Sequence, residues 1–206
     1  VETEMDHATG EIVGRLDLAN SLYLQQVRGG MALLRDEAGG LGTPRSAGLE
    51  PVAGADAAGL YFGEEPTNGH FAIVDHTTSI VGGTATLFSR WGDDFVRVST
   101  NVKKDDGSRA VGTTLNPRGK AYPLLIAGEA YHGLVEILGR PYVTGYEPIV
   151  DGVGDVIGIY YVGYPLVEMD DLGRAIAAAS VLDDGFVALL DADGDVVFAS
   201  SHAPDD

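Results

Sequence analysis

Arg97 is the residue whose type and setting most clearly predict chemistry. It lies in the segment Asp94–Thr100, whose β-branched and aromatic residues predict a β-strand, and it is the one charged residue of the run FVRVSTNV, which begins at Phe95. Because side chains alternate between the two faces of a strand, Phe95, Arg97 and Ser99 are predicted to share one face. A buried guanidinium needs a partner, because a charge removed from water is costly unless it is paired.

Two kinds of partner for Arg97 are open from the sequence. The first is an internal salt bridge, for example with Glu147 or Asp75, which would make the arginine a structural residue. The second is the carboxylate of a bound ligand, because the planar guanidinium matches a carboxylate in a bidentate pair.

Hydroxyl-bearing side chains gather on a second predicted strand. Tyr142, Thr144 and Tyr146 share one of its faces, since they are spaced two residues apart. The tyrosine rings either belong to the core with locally satisfied hydroxyls or line a site. Of the adjacent Tyr160 and Tyr161, only one can point to the same side of the sheet. A face with aromatic rings, hydroxyls and an arginine suits a small anion.

Antiparallel strands joined by tight turns are predicted for the part of the chain that carries these residues. The predicted strands are a run that begins at Phe71, then Thr84–Ser89, Asp94–Thr100, Tyr131–Leu138, Tyr142–Val150 and Val156–Tyr164. Less regular segments surround them: a loop over Ala38–Asp56, a short edge strand over Gly59–Gly63 and a short helix near Lys120–Ala127.

Helical spacing marks the two ends of the chain. Residues 2–37 contain no proline and carry apolar residues at steps of three and four, which predicts one long helix with a broad apolar face. Met169–Leu182 is predicted to be a helix, and the residues after it a hairpin with its turn at Asp193-Gly194.

Five blocks of this chain resemble a known family of sensor domains. They read GGTATLF, DDFVRVSTNV, DGSRAVGTTLNP, GRPYVTGYEPI and IGIYYVGYPL, and their order and spacing are similar to those of the Cache 3/Cache 2 fusion family over about Leu16–Leu166. Its members are extracytoplasmic ligand-sensing domains of bacterial receptors, mostly methyl-accepting chemotaxis proteins, with some histidine kinases and nucleotide cyclases.

The resemblance implies an α+β fold in which a long N-terminal helix packs on a PAS-like antiparallel sheet, with a ligand site on the opposite sheet face. It implies three parts: the helix over residues 1–37, the sensor core over 38–166, and a C-terminal helix with an extra hairpin over 167–206 that either extends the sheet, pairs with a partner chain or begins a second module. In PAS-like sensors the connecting segment forms a wall of the site, which adds Lys120 and Tyr122 as candidate ligand contacts.

The histidines and acidic turns predict no metal site. His132 lies on a predicted strand, where it is either a ligand donor or a partly exposed strand residue. His70 and His76 flank one predicted strand but lack an evident third ligand. Asp191, Asp193 and Asp195 open like a calcium loop, but the positions that need glycine and a final acid hold other residues, so a hairpin turn is expected. No cofactor is expected.

Composition narrows the class of partner. The chain has 206 residues, a formal net charge of −18 and no cysteine. A strongly acidic chain is a poor match for nucleic acids and anionic membranes, which are polyanions, and a chain without cysteine forms no disulfide or thiolate site. No apolar run reaches the roughly 20 residues that span a bilayer. The start at Val1 suggests an excised fragment, and the resemblance implies flanking transmembrane helices outside it.

Taken with these residues, the resemblance to the sensor family implies a non-enzymatic signal-input domain. It is expected to lie outside the cytoplasm as part of a membrane-anchored receptor, to bind a small molecule such as acetate, propionate or another short carboxylate, and to dimerise through the N-terminal helix. The ligand residues are expected among Arg97, Ser99, Lys120, Tyr122, His132, Tyr142, Thr144 and Tyr146. The alternative is a ligand-free dimerisation module whose site is filled by its own side chains.

Overall fold

The computed structural model describes residues 2–165, 188–190 and 196–199, with side chains described over 21–165. Its helices and strands, in chain order, are α1 (Glu2–Gly40), β1 (Pro44–Leu49), β2 (Ala58–Phe62), β3 (Glu65–Pro66), α2 (Ala72–Val81), β4 (Thr84–Trp91), β5 (Asp94–Thr100), α3 (Ala121–Ile126), β6 (Tyr131–Ile137), β7 (Arg140–Val150), β8 (Val156–Pro165), β9 (Ala188–Leu190) and β10 (Val196–Ala199). The chain therefore has the predicted α+β class, with a long N-terminal helix and antiparallel sheets.

The five strands β4 to β8 form one antiparallel sheet with the spatial order β5-β4-β8-β7-β6. Each was predicted close to its observed bounds, because alternating side chains and Gly/Asp turns are local signals. The strands that follow one another, β4 with β5, β6 with β7 and β7 with β8, are paired as hairpins, and β8 returns beside β4 to close the order.

Helix α1 covers one face of this sheet and confirms the predicted N-terminal helix. Its buried side chains Val27, Met31, Leu34 and Ala38 recur at steps of three and four, so they form a single stripe along the helix. This stripe packs on residues that include Leu87 and Val162 of the sheet. Among the described residues no helix is long and apolar enough to cross a membrane.

The stretch after Phe71 is a helix, not the predicted strand. In α2 the buried residues Val74 and Thr77 are three positions apart, which is helical spacing, and the helix packs against α1 and β4. The β-branched residues of this stretch favour a strand locally. The prediction was wrong because tertiary packing against α1 outweighs that weak local preference.

A second sheet, with the order β1-β2-β3, lies between α1 and α2 in the chain. Strand β2 confirms the strand predicted over Gly59–Gly63, but it is the central strand rather than an edge, because β1 and β3 pair on either side of it. Strand β1 falls inside the stretch that was predicted to be a loop. Leu60 and Phe62 of β2 join the core under α1.

The opposite face of the five-stranded sheet, called here the α3 face, has its own core. It is formed by Phe88, Phe95, Ile159 and other sheet residues packed against Leu125 of α3. Helix α3 confirms the short helix predicted near Lys120–Ala127. The face under α1 and α2, called here the α1 face, belongs to a separate cluster of buried residues.

The C-terminal strands β9 and β10 pair with each other in an antiparallel arrangement, as the predicted hairpin requires. The turn predicted at Asp193-Gly194 and the helix predicted over Met169–Leu182 lie outside the described residues.

Candidate ligand-binding site

A β-bulge in β5 decides which side chains reach the α3 face. Leu87 of β4 pairs with Ser99, but the next residue, Phe88, pairs with Arg97, so β5 holds one extra residue at this point. Arg97 lies on the α3 face with its guanidinium carbon 4.9 Å from the centre of the Phe88 ring. After the bulge the alternation is reversed, so Thr100 shares the face of Arg97 and Ser99 does not.

The hydrogen bonds of Ser99 and Thr100 agree with this reversal. Ser99 donates to the carbonyl of His70, just before α2, at 2.6 Å. The hydroxyls of Thr100 and Thr86 lie 2.6 Å apart on the other side of the sheet. The prediction that Ser99 shares a face with Arg97 was therefore wrong, because simple alternation does not hold across a bulge.

The guanidinium of Arg97 is buried and only partly satisfied. The residue is 6% exposed, and its Nη1 donates to the hydroxyl of Thr113 at 2.7 Å. Its Nε is buried and has no hydrogen-bond partner. Burial lowers the pKa of Arg97, while the hydroxyls of three nearby tyrosines act in the opposite direction.

No carboxylate of the described residues forms an ion pair with Arg97. Glu147 is paired with Arg35 of α1 at 3.0 Å. Asp75 accepts two hydrogen bonds from Arg109, at 2.7 and 2.9 Å. Both carboxylates that the sequence offered as examples of an internal partner of Arg97 thus bind other arginines, so neither of these two salt bridges forms.

Tyrosine side chains surround the site on the neighbouring strands. Tyr142, Thr144 and Tyr146 lie together on the α3 face of β7, and Tyr161 of β8 joins them. The rings of Tyr146 and Tyr161 are 4.9 Å apart, and Tyr131 of β6 lies 6.3 Å from Tyr146. Of the adjacent Tyr160 and Tyr161, it is Tyr161 that faces the site, as the alternation allows for only one of them.

The hydroxyl groups of the α3 face differ in whether they form hydrogen bonds within the chain. Thr144 donates to the carbonyl of Gly133, and Thr84 donates to Gly163, so the Tyr161 hydroxyl donates to Thr84 at 3.0 Å. The hydroxyl of Tyr146, in contrast, has no hydrogen bond within the part of the chain that the structure describes. Burial raises the pKa of both tyrosines, so they are neutral donors at physiological pH.

Tyr122 and Lys120 lie at the edge of the α3 face. The Tyr122 hydroxyl donates to the carbonyl of Asp93, and its ring meets Phe95 edge-on at 6.1 Å. Lys120 is exposed immediately before α3. Their contact with a ligand stays a prediction, as it does for Tyr142, Thr144 and Tyr146.

His132 lies on the α1 face of the sheet. It pairs with Gly145, and a Cβ built on that glycine would meet both the His132 ring at 3.2 Å and Val27 of α1 at 2.6 Å. Because Val27 belongs to the helix that covers the α1 face, His132 is on the wrong side of the sheet to reach Arg97. Its assignment as a ligand donor is corrected for that reason.

The described residues contain no group of three or more His, Cys, Asp and Glu side chains that could hold a metal ion. The polar groups near Arg97 are instead neutral hydroxyls. Such a set of donors, with one cation and no carboxylate, is suited to an anion rather than to a cation.

A sequence model of the Cache 3/Cache 2 fusion domain matches residues 1–206. The chain belongs to this family. The match extends beyond Leu16–Leu166 and includes the C-terminal hairpin, which the resemblance had left outside the family core. No curated protein matches the chain.

Three of the solved structures that match this Cache domain are sensor domains, all at low sequence identity. The sensory domain of the Campylobacter jejuni chemoreceptor Tlp3 matches with 13% identity and a TM-score of 0.47, over 96% of this chain and 70% of that one. The Vibrio cholerae histidine kinase DctB sensor domain matches with 14% identity and a TM-score of 0.44, over 96% and 64%. The Escherichia coli DcuS sensor domain matches with 15% identity and a TM-score of 0.40, over 50% and 71%.

Several residues of the candidate site were missed from the sequence. Tyr161 could have been selected from its spacing with Ile159 and Gly163, had the face of β8 been known. Thr100 requires knowledge of the bulge. Thr113 lies in an irregular segment with no periodic pattern, so its contact with Arg97 follows only from the folded chain.

Proposed function

We propose that this chain is the extracytoplasmic sensor domain of a bacterial transmembrane receptor and that it binds a small carboxylate through Arg97. The observation that carries the proposal is the buried guanidinium, whose Nε lacks a hydrogen bond and which has no ion pair among the described residues. A buried charge without a partner is costly. A ligand carboxylate would remove that cost, so binding and folding favour the same state.

The free edge of the guanidinium defines how the anion would bind. Nη1 is engaged by Thr113, which leaves Nε and Nη2 to form two parallel hydrogen bonds with the two oxygens of a carboxylate. The Tyr146 hydroxyl, which has no described partner, is a neutral donor on the same face and would supply a third bond. These groups are the ones we expect to contact the ligand headgroup.

The charges of the buried residues favour an acid without an ammonium group. Arg97 is the only charged side chain among the buried residues that the structure describes. The ammonium of an amino acid would therefore enter the site without a buried carboxylate to pair with, and an unpaired buried charge is strongly unfavourable. The proposal is a short monocarboxylate rather than an amino acid.

Apolar residues of the α3 face would contact the remainder of the ligand. Phe88, Phe95, Leu125 and Ile159 belong to the same buried cluster as the tyrosines. Each methylene that a ligand buries against such a surface contributes about 0.8 kcal/mol. Affinity is expected to rise about fourfold from acetate to propionate, and to continue to rise until the chain meets the wall of the site.

Strand β7 connects the site to α1. Tyr146 is on the α3 face of β7, while the neighbouring Gly145 and Glu147 face α1, where they meet Val27 and Arg35. A ligand that prefers one position of β7 would shift the population of α1 positions by no more than its difference in affinity for the two states. This arrangement is the proposed route of the signal.

The proposal includes homodimerisation through α1. Leu22 is 53% exposed on this helix, and the buried stripe that begins near Tyr23 lies on the side that faces the sheet. A second copy packed along the exposed side would cover Leu22. Light scattering of wild type and Leu22→Glu tests this part, since the substitution should lower the dimer fraction if α1 forms the interface.

The class of ligand is tested by thermal unfolding with three compounds of one skeleton. Propionate carries the carboxylate, propionamide is its neutral counterpart, and alanine adds an ammonium to the same carbon chain. Propionate at a hundred times its dissociation constant should add about 2.7 kcal/mol to the free energy of unfolding, and the other two should add much less.

Each outcome of that comparison has a distinct meaning. Stabilisation by alanine equal to that by propionate would reject the monocarboxylate. Stabilisation by propionamide would reject the role of the charge. A flat response to acetate, propionate, butyrate and larger acids would favour the ligand-free dimerisation module.

A further inference from the structure

The segment Arg109–Leu115 lies along the outer edge of β5 and is fixed there by backbone hydrogen bonds. The amide of Arg97 donates to the carbonyl of Thr113 at 2.8 Å, and the amide of Gly112 donates to the carbonyl of Arg97 at 2.9 Å. The amide of Leu115 donates to Phe95 at 2.9 Å. Thr113 is thereby held directly beside Arg97, independently of any side-chain contact.

The side chain of Thr113 has one orientation that satisfies both of its contacts. Its hydroxyl donates to the carbonyl of Ala110 at 2.8 Å, and it lies 2.7 Å from Nη1 of Arg97. A threonine hydroxyl carries a single proton. Because that proton is given to Ala110, the oxygen presents its lone pairs to the guanidinium and accepts from it.

We infer that Thr113 is a positioning residue that aims Arg97 at the ligand. Thr113 fixes Nη1, and the Phe88 ring lies 4.9 Å below the guanidinium carbon, so the remaining edge of the guanidinium points in one direction. A binding group that is already held in the bound geometry loses less conformational freedom when the ligand arrives. The inference rests on the proposed function and adds a residue that does not itself touch the ligand.

A purely structural role for Thr113 predicts different behaviour. In that case the Ala110 bond would matter only because it fastens the segment, and Arg97 would keep its position without it. Thr67 provides a matched control, since its buried hydroxyl also donates to a carbonyl, that of Leu60 at 2.8 Å, with no arginine in contact. The positioning role and the structural role therefore differ in one respect: only the first requires that Arg97 loses its position when the Thr113 hydroxyl is removed.

The test follows the Arg97 side chain by NMR and the affinity for propionate by calorimetry. The Nε–H signal of Arg97 is assigned by its loss in Arg97→Lys. Thr113→Val removes the acceptor at nearly constant volume, Thr113→Ser keeps it, and Thr67→Val is the control. Thr113→Ala is a second variant without the acceptor, for use if the valine does not fold.

The expected result has two parts. In Thr113→Val the Arg97 Nε–H exchanges faster with water and propionate binds roughly tenfold more weakly, as expected when a hydrogen bond to a charged group is lost. Thr113→Ser retains both wild-type properties, and so does Thr67→Val.

Two failures can be told apart. If wild type binds propionate and Thr113→Val binds it equally well with an unchanged Arg97 signal, the role of Thr113 is rejected and the sensor remains. If wild type binds none of the carboxylates, the proposed function fails, and a positioning role in binding falls with it whatever the Arg97 signal shows.

Discussion

The two faces of the five-stranded sheet differ in how their charges are satisfied. On the helix-covered side the ion pairs of the described arginines are formed within the chain, Arg35 with Glu147 and Arg109 with Asp75. On the α3 face a single buried guanidinium, that of Arg97, has a threonine hydroxyl as its hydrogen-bond partner and no described carboxylate. The described arginines of the first face are thus paired with carboxylates of the chain, whereas Arg97 on the second face is not.

Arg109 and Arg97 make this difference concrete. Both guanidinium groups lie over an aromatic ring. The guanidinium carbon of Arg109 is 4.4 Å from the centre of the Phe71 ring, and that of Arg97 is 4.9 Å from the centre of the Phe88 ring. Arg109 also binds both oxygens of Asp75 and a backbone carbonyl, so three of its five N–H donors are occupied by the protein. The comparison teaches that two arginines in similar positions over aromatic rings can differ in their partners, since one binds a carboxylate of the chain and the other binds a hydroxyl.

The largest expected effect comes from core leucines on the two faces. Leu34 and Leu125 are both fully buried, the first on the sheet-facing side of α1 and the second in α3. Leu34→Ala should lower the free energy of unfolding by about 2 to 5 kcal/mol without a change in ligand preference. Leu125→Ala should also lower stability, and it should shift preference towards longer carboxylates. Urea unfolding and calorimetric titration check both; an identical ligand profile for the two variants would remove the distinction between the faces.

Alkaline pH should lower the free energy of unfolding, because buried tyrosines lie on both faces of the sheet. Burial raises the pKa of Tyr160 on the α1 face from 10.0 to about 12. Below pH 10 the folded and unfolded states are both protonated; above it the unfolded tyrosine ionises first, so stability falls as pH rises towards 12. The loss from Tyr160 is about 2.7 kcal/mol at most. Urea unfolding as a function of pH should show a shallower decline in Tyr160→Phe, and an unchanged slope would contradict its burial.

The ion pair between Arg109 and Asp75 should contribute less to the free energy of unfolding than the core leucines or the buried tyrosine. Arg109 and Asp75 have side chains 33% and 45% exposed, so water weakens their attraction. Arg109→Met should cost about 1 kcal/mol in stability and leave propionate affinity near wild type. A large loss of propionate binding in this variant would show that the two faces are not separate in function.

Two adjacent glycines of α1 should give the smallest effects on stability, and substitution of the first should be the more favourable. A Cβ at Gly29 would meet nothing within 4 Å, whereas a Cβ at Gly30 would lie 3.0 Å from Val162 of the sheet. Gly29→Ala should therefore stabilise the chain by about 0.5 to 1 kcal/mol, through its helix propensity. Gly30→Ala should gain less or be destabilising, because it forces α1 away from the sheet. Thermal unfolding of the pair checks the close packing of α1 that the proposed signal route requires.

The parts of the fold with local signals could be predicted from the sequence. Residue alternation and Gly/Asp turns predict β4 to β8, and the four-and-three spacing of Val27, Met31 and Leu34 predicts the buried side of α1. Helix α2 could not be predicted in this way, because its β-branched residues favour a strand and its helical form depends on packing against α1.

The site was predictable only in part, because its geometry depends on pairing between strands. The faces of Tyr142, Thr144 and Tyr146 follow from alternation, whereas that of Ser99 is reversed by a bulge that exists only when β4 and β5 are paired. Thr113 is even further from a sequence signal, since an irregular segment brings it to Arg97.

Calorimetric titration of propionate into wild type, Arg97→Met and Arg109→Met tests the central claim most directly. The account predicts that Arg97→Met folds with stability equal to or above that of wild type, because it removes an unpaired buried charge, and that it no longer binds propionate. Arg109→Met should be slightly less stable and still bind. Loss of stability in Arg97→Met with propionate affinity retained would contradict the claim, since Arg97 would then be a structural residue.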